Sequence, residues 1–500
     1  LPIRDLPRFH DLRDFITHLE SSGDLSRIGE PVSLVHDMTE IHRRVLVGGG
    51  PALLFERPVA ASGDKSPIPV LANLFGTRKR VAAGLGLGEE RLVELGELLA
   101  ALREPAPVEG LSDALSRWPL VKAALATRVE TVSRAPVQEE VHTGAAVDLG
   151  ALPVQTCWPG EPAPLITWPL VITRAPDDEK CVRTNMGVYR MQVLGANRLI
   201  MRWLAQRGGA RHHAQWMAEG RDMPVAVAIG ADPATILSAV LPLPETLSEI
   251  RFSGLLRGER PRLAKAVSVP LLVPADAEIV IEGLVSPTET APEGPYCDHT
   301  GYYNAVEPFP VMRVTAITMR RDPIYLSTFT TRPPDEPAII ASAMNDVFLP
   351  LVRRQFPEVV DFYLPPAACS YRMAVVAIKK RYPGQARRIM MGLWGMLAQF
   401  SYTKLIVVVD DDIDARNFDD VLWALATRFD PSRDAVMIAR TPIDYLDFAS
   451  PLESLGGKLG LDATNKIGSE TTREWGKVAK VQPEVAARID ALWPKLGLKV

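Results

Sequence analysis

Forty-three prolines run through 500 residues. Proline removes a backbone donor and clashes with the preceding helical turn, so this density excludes a bundle of long helices. It leaves short elements joined by stiff turns. The length exceeds what one hydrophobic core serves, so two to four domains are expected. The composition is 47% hydrophobic and 23% charged, with net charge −4, which gives no broad electrostatic basis for binding nucleic acid. The longest apolar run, Pro224 to Pro244, contains Asp232 and several prolines and reads as core plus loop rather than a membrane span. The opening Leu-Pro-Ile-Arg-Asp-Leu carries charge early and is not read as a signal peptide. The four cysteines are widely and irregularly spaced, with no CxxC, so neither a disulfide framework nor a structural zinc site is expected and a reducing cytosol is the simpler setting.

Along the chain the apolar period changes twice. Leu12, Phe15, Ile16 and Leu19 mark an amphipathic helix, and a second pattern spans about 89–103. Between them Ala52–Phe55 and 69–73 read as short buried strands, giving an N-terminal α/β domain. The glycines at 84, 86 and 88 have GxGxG spacing, which fits a helix-capping turn better than a dinucleotide loop. Residues 104–165 read as a linker and wrap. Then come short Val-, Ile- and Thr-rich runs at 170–173, 187–194, 198–203, 224–229, 278–282 and 311–319, interrupted by one convincing helix near 209–219. That pattern predicts a β-rich sandwich or barrel. The adjacent pair His212-His213 falls in that helix and is read as a solvated face. After 333, helical stretches at 337–348, 386–400 and 417–428 alternate with strands at 371–378, 405–409 and 435–438. Leu405-Ile-Val-Val-Val409 is an unbroken apolar run, as expected of a strand buried on both faces of a parallel sheet. The expected domains are 1–115, 116–332 and 333–480, with a terminal helix in 481–500 that could pack on a second subunit.

Two stretches carry chemistry. In Thr290 to Asn304 two carboxylates, Glu293 and Asp298, stand five apart among prolines and glycines, which predicts a stiff loop suited to acid/base work but equally a solvated turn. In Arg183 to Gln192, Asn185 offers a carbonyl oxygen suited to a hard cation and Arg190 a planar fork suited to a carboxylate or phosphate. Glu249 lies beside a proline-stiffened loop. Asp410-Asp-Asp412, after the buried strand, admits a metal hydrolase or simple helix capping.

Taken together and in order, Asn185-x-Gly-Val-Tyr-Arg190, Arg202-Trp-Leu204, Arg207-Gly-Gly209, Leu247-Ser-Glu249, Glu293-Gly-Pro-Tyr-x-Asp298-His-Thr-Gly-Tyr-Tyr303, Arg332-Pro-Pro-Asp-Glu-Pro337 and the stretch Pro442 to Pro451 resemble the UbiD family of carboxy-lyases. The resemblance runs nearly end to end and is nearest to the quinone-pathway branch, the 4-hydroxy-3-polyprenylbenzoate decarboxylases. It implies a central split β-barrel of flavin-reductase type between two α/β domains. It implies non-oxidative decarboxylation of an aromatic acid on prenylated FMN, with Mn2+ and also K+, the cofactor being supplied by a separate flavin prenyltransferase. The first substrate expected is 4-hydroxy-3-polyprenylbenzoate, converted to 2-polyprenylphenol in ubiquinone biosynthesis; a non-prenylated aromatic or heteroaromatic acid is the alternative. A flavin-binding protein without turnover is a third reading, disfavoured because it would not need an arginine-flanked acid pair.

By the same resemblance Asn185 and Glu249 would hold the metal, and Val188, Tyr189, Arg190, Arg202, Trp203, Leu204, Gln206, Arg207 and Gly208 would line the cofactor, with Lys404 as a phosphate contact. Gln206 stands where relatives often carry a ligand histidine. Arg190 would orient the substrate carboxylate, Glu293 would set Arg190, and Asp298 would deliver the proton. A polyprenyl chain would need an apolar channel, for which Met390, Met391, Leu393 and Trp394 are candidates or plain core. The implied assembly is a dimer or hexamer, cytoplasmic, with peripheral contact to the inner face of the membrane open to it.

Overall fold

The computed structural model describes residues 4–103, 126–204, 207–241, 243, 248–396 and 398–498. Gln206 and the expected domain boundary near 115 lie outside them.

The N-terminal layer forms as its periodicity dictates. Helix Leu12–Ser21 starts at Asp11, whose side chain accepts the backbone N–H of Asp14, and it buries Leu12, Phe15, Ile16 and Leu19. Beside it lies a four-stranded sheet in the order Leu25–Ile28, Ala52–Phe55, Val70–Ala72 and Tyr325–Leu326. The last strand returns from far along the chain and pairs in parallel with Val70–Ala72. The glycines near 84 do cap a helix: Arg78–Gly84 ends there and Gly86 takes a positive φ of 80°.

The central layer is one antiparallel sheet. Its order is Asn185–Val188, Leu170–Thr173, Met223–Ile229, Ile279–Glu293, Glu307–Met319, Arg198–Met201, Met191–Gly195 and Leu165–Ile166, with Glu140–Thr143 also pairing Glu307–Met319. The sequence pattern predicts a single strand at 187–194. Instead the chain leaves one edge of the sheet at Val188 and enters near the opposite edge at Met191. Only Tyr189 and Arg190 span that gap, and two residues reach about 10 Å at most. The sheet must therefore curl until its edges almost meet, which makes the near-barrel expected of a split-barrel fold. Arg190 sits at that seam.

Two further differences concern this layer. Besides helix Gly208–Ala218, helices Pro233–Ser238 and Glu249–Arg257 pack against each other beside the barrel. Both are short and proline-flanked, so their apolar period is too brief to read. Glu293 is not on a loop: it ends the 15-residue strand Ile279–Glu293, in register with Glu307. The preceding Pro292 faces Pro308 across the ladder, a pairing that asks neither residue for a donor. The stiff loop begins only at Gly294. His212 and His213 are half-buried rather than solvated; His212 Nδ1 lies 2.9 Å from Thr173 Oγ1, and the His213 ring packs on Trp203.

The C-terminal layer is a five-stranded sheet in the order Val359–Tyr363, Met373–Ile378, Leu405–Asp410, Leu455–Ala463 and Ala435–Pro442. Its middle three strands are parallel, and Ile406 to Val409 are buried. Met390, Leu393 and Trp394 on helix Gln385–Met396 are buried core, whereas Met391 is exposed. Asp410 and Asp412 do not form an open site, because Arg428 donates to Asp410 at 2.8 Å and to both oxygens of Asp412 at 2.9 and 2.8 Å. Removing one member of a buried ion pair strands the other, so Arg428→Ala is expected to cost about 3 kcal/mol. The denaturant midpoint measures that loss.

The four cysteines are free thiols. Among the described residues no helix is long and apolar enough to cross a membrane.

Candidate active site

Three of the predicted residues meet at the barrel seam. Arg190 Nε donates to Glu293 Oε1 at 2.9 Å, and its Nη1 donates to Asp298 Oδ2 at 2.8 Å. Arg190 Nη2 reaches Glu293 Oε2 at 3.3 Å and Asn304 Oδ1 at 2.8 Å. Arg202, at the end of strand Arg198–Met201, adds a second guanidinium: its Nη1 donates to Glu293 Oε2 at 2.6 Å. Glu293 is wholly buried, so two arginines and the Asn304 amide stand in for the water it has lost. Asn304 also accepts the Tyr296 backbone N–H at 2.8 Å, which closes the loop 294–304 on itself. Gly294 opens that loop with φ of 91° and donates its N–H to Gln192. A side chain there would be strained, and a Cβ would lie 2.9 Å from the Asn304 amide nitrogen.

The electrostatics are one-sided. Burial alone would raise the Asp298 carboxyl, but the His299 hydrogen bond and the Arg190 charge outweigh it and hold the group far below the ordinary carboxylate range. Burial likewise works against the Arg190 charge, and the fields of Asp298 and Glu293 more than restore it. His299 was not singled out in the sequence. Its Nδ1 lies 2.8 Å from Asp298 Oδ1, and its Nε2 faces Asp444 Oδ2 at 3.9 Å. Asp444 belongs to the C-terminal layer, where Arg372 donates to it at 2.8 Å.

A second group lies beside this cluster. Strand Asn185–Val188 brings Asn185 against the head of helix Gly208–Ala218. A Cβ on Gly208 would fall 1.9 Å from Asn185 Oδ1, so only glycine leaves room for that carbonyl. Tyr189 OH accepts from Asn185 Nδ2 and from the Gly209 N–H, both at 3.4 Å. Glu249 heads helix Glu249–Arg257 and accepts the Met186 N–H at 3.1 Å. Burial pushes its carboxyl up, and among the described residues it has no arginine or lysine partner. Arg207 hydrogen-bonds Tyr371, a residue of the C-terminal layer. Val188 and Leu204 are half-buried, and Trp203 is buried. Lys404 is not part of the cluster around Arg190 or the Asn185 group; its Nζ pairs with Asp447 at 2.7 Å.

The donor set fits a bound flavin phosphate and a cation. Arg202 Nη2, Trp203 Nε1 and Ser248 Oγ are buried without a hydrogen-bond partner, and such atoms are costly unless something meets them. Glu249 is a half-buried carboxylate with no cation beside it among the described residues, and Asn185 supplies a neutral oxygen near it. Among the described residues no group of three or more His, Cys, Asp or Glu side chains could hold a metal by itself. An ion here would rest on Asn185 and Glu249 with further oxygen donors.

Sequence reasoning missed Asn304, His299 and Asp444 as site residues. All three stand inside stretches already notable for motif content, but nothing in a linear reading says that Asp444 reaches a residue 145 positions earlier, the difference between 444 and 299.

Comparison with known proteins agrees with this architecture. Three family models match in chain order: the 3-octaprenyl-4-hydroxybenzoate carboxy-lyase N-terminal domain at 16–99, its Rift-related domain at 129–333 and its C-terminal domain at 338–463. The chain therefore belongs to the UbiD family of carboxy-lyases. Among solved structures, the UbiD-class enzyme HmfF from Pelotomaculum thermopropionicum, in complex with FMN, is 29% identical, with 96% of this chain and 98% of that one covered and a TM-score of 0.77. The vanillic acid decarboxylase of Sedimentibacter hydroxybenzoicus in its open form is 25% identical over 98% of this chain and 99% of that one, with TM-score 0.78. The apo 3,4-dihydroxybenzoic acid decarboxylase of Klebsiella pneumoniae is 25% identical over 96% and 99%, with TM-score 0.75.

Proposed function

We propose that this protein removes CO2 non-oxidatively from a small aromatic or heteroaromatic acid that carries no prenyl chain, using prenylated FMN. The observation that carries the reading is Arg190, held by Glu293 and presented together with Asp298 at the barrel seam. The likeness to decarboxylases of vanillic and 3,4-dihydroxybenzoic acids supports the non-prenylated class and moves the substrate away from 4-hydroxy-3-polyprenylbenzoate and the ubiquinone pathway. The burial of Met390, Leu393 and Trp394 agrees, since it takes those side chains out of any channel for a long apolar tail.

Charge and geometry support the following residue roles. Arg190 orients the substrate carboxylate, while Glu293 and Asn304 fix the plane of its guanidinium. Asp298 returns a proton to the ring carbon that CO2 has left. The prenylated flavin, when bound, supplies the electron sink that side chains lack. Asn185 and Glu249 would hold Mn2+ against its phosphate, with K+ as a second cation. Val188, Tyr189, Arg202, Trp203, Leu204, Arg207 and Gly208 would line it. A separate prenyltransferase would supply it, and the exposed apolar residues of the terminal helix, Ile489 and Leu492, suit a homo-oligomer.

Expression with and without a flavin prenyltransferase tests the reading. The purified protein is expected to show a prenylated-flavin absorbance only with it, and to release CO2 from vanillate, 3,4-dihydroxybenzoate or a heteroaromatic acid rather than from prenylated 4-hydroxybenzoate. CO2 release without the prenylated flavin refutes it. A narrower expectation concerns Gly208→Ala. The methyl group displaces Asn185, so metal and flavin retention should fall about tenfold or more, read from metal content and absorbance of the purified protein.

A further inference from the structure

Resting on the reading of Asp298 as the acid, a question of proton supply follows. Asp298 is held ionised by three donors: Arg190 Nη1 on Oδ2, and the His299 N–H and Nδ1 on Oδ1, at 2.8, 2.9 and 2.8 Å. An ionised carboxylate cannot protonate carbon. The group next to it can. His299 lies between two carboxylates, Asp298 on Nδ1 and Asp444 facing Nε2. Its Nε2 is buried without a hydrogen-bond partner, as is Nη1 of Arg372, which pairs with the same Asp444.

We propose that His299 stores the proton that Asp298 delivers, and that Asp444 of the C-terminal layer is the positioning residue that keeps the imidazole charged. The imidazolium gives its Nδ1 proton to Asp298 Oδ1. The neutral carboxyl then gives a proton to the carbon vacated by CO2. A C–H bond forms, one N–H bond is lost, His299 ends neutral and Asp298 ends ionised again. Solvent restores the imidazolium before the next turnover; the side chain is 23% exposed but its Nε2 is buried, so the ring must move for a nitrogen to meet water.

The charges facing His299 decide whether it is loaded. Asp298 comes from its own loop, Asp444 and Arg372 from the C-terminal layer, Asp335 from the turn before helix Glu336–Gln355, and Arg190 lies beyond Asp298. Burial opposes the imidazolium, and Arg372 opposes it weakly. The Asp298 hydrogen bond and charge, and then Asp444, outweigh both and move the ring above its ordinary value.

The test has two arms. In the first, 15N-histidine NMR on the full chain, assigned with His299→Asn, should find His299 still imidazolium above pH ~6.5, the ordinary histidine value. Asp444→Asn should move that titration down by about one pH unit. A His299 ring that is neutral at that pH, or one indifferent to Asp444→Asn, overturns the proposal whatever the reaction is. In the second arm, His299→Asn in the flavin-loaded enzyme should keep exchange of 13C-bicarbonate into the acid substrate within about threefold. Net product formation should fall roughly a hundredfold, the scale of a lost general acid. The alkaline fall in the wild-type rate should also disappear. Exchange and product formation lost together, or an unchanged rate and pH profile, overturn it. Wild-type enzyme inactive on every acid screened would refute the proposed function instead, and leaves the first arm standing.

Discussion

Asp298→Asn is expected to lower CO2-coupled product formation by about a thousandfold, or ~4 kcal/mol in the barrier, while the flavin absorbance of the purified protein stays at the wild-type level. The substitution keeps the size of the side chain and removes its acid. Asp298 sits across Arg190 from Glu293, and its side-chain hydrogen bonds among the described residues go to Arg190 and His299, not to Asn185, Glu249 or Gly208, so retention of the cofactor should not depend on it. The structural cost should be modest. An amide offers one acceptor where the carboxylate offers two, so either the Arg190 or the His299 hydrogen bond is lost, about 1 kcal/mol. Incorporation of deuterium from D2O at the product carbon isolates the step, because that exchange needs an acid at the same atom. Wild-type-like deuterium exchange by Asp298→Asn would remove Asp298 from the proton path and return the role to another group at the seam.

How much of this could be read from the residues alone depends on the range over which each feature is decided. Leu405 to Val409 announced a buried parallel strand because burial on both faces leaves no polar alternation. The acid pair and Arg190 were legible as types suited to chemistry, and the ordered motifs assigned them to one family. The seam was not legible. Residues 187 to 194 look like one strand because side-chain pattern does not register that the chain passes from one edge of a sheet to the other at Tyr189 and Arg190. The same blindness hid Asp444, since an ion pair between layers exists only once both have folded. Glu293 was misplaced for a different reason. Proline argues against a strand locally, yet Pro292 and Pro308 are tolerated because they face each other. Lys404 pairs with Asp447 at 2.7 Å, a contact between residues 43 positions apart that a linear reading does not show.

The same seam governs stability. Arg190→Ala should destabilise the fold by about 3 kcal/mol, because it leaves Asp298 and the wholly buried Glu293 with fewer cations. Arg202 still holds one oxygen of Glu293, so the loss should stop short of unfolding the barrel. The pH dependence has a definite sign. Asp298 is held well below the usual carboxylate range in the folded protein, so its contribution is present above the unfolded value of about 3.9 and is lost as pH falls through the folded one. Without Arg190 the burial penalty is less opposed and the folded value rises toward the unfolded one, so less stability depends on this ionisation. Unfolding midpoints followed from about pH 7 down to about pH 3 should therefore fall less with acid for Arg190→Ala than for the wild type, from its lower starting point. Arg190→Lys separates charge from geometry. An ammonium restores a cation but cannot hold two carboxylates and Asn304 in one plane, so stability should return in part while CO2 release stays about a hundredfold down. Equal recovery of both would mean that Arg190 serves the site only as a point charge.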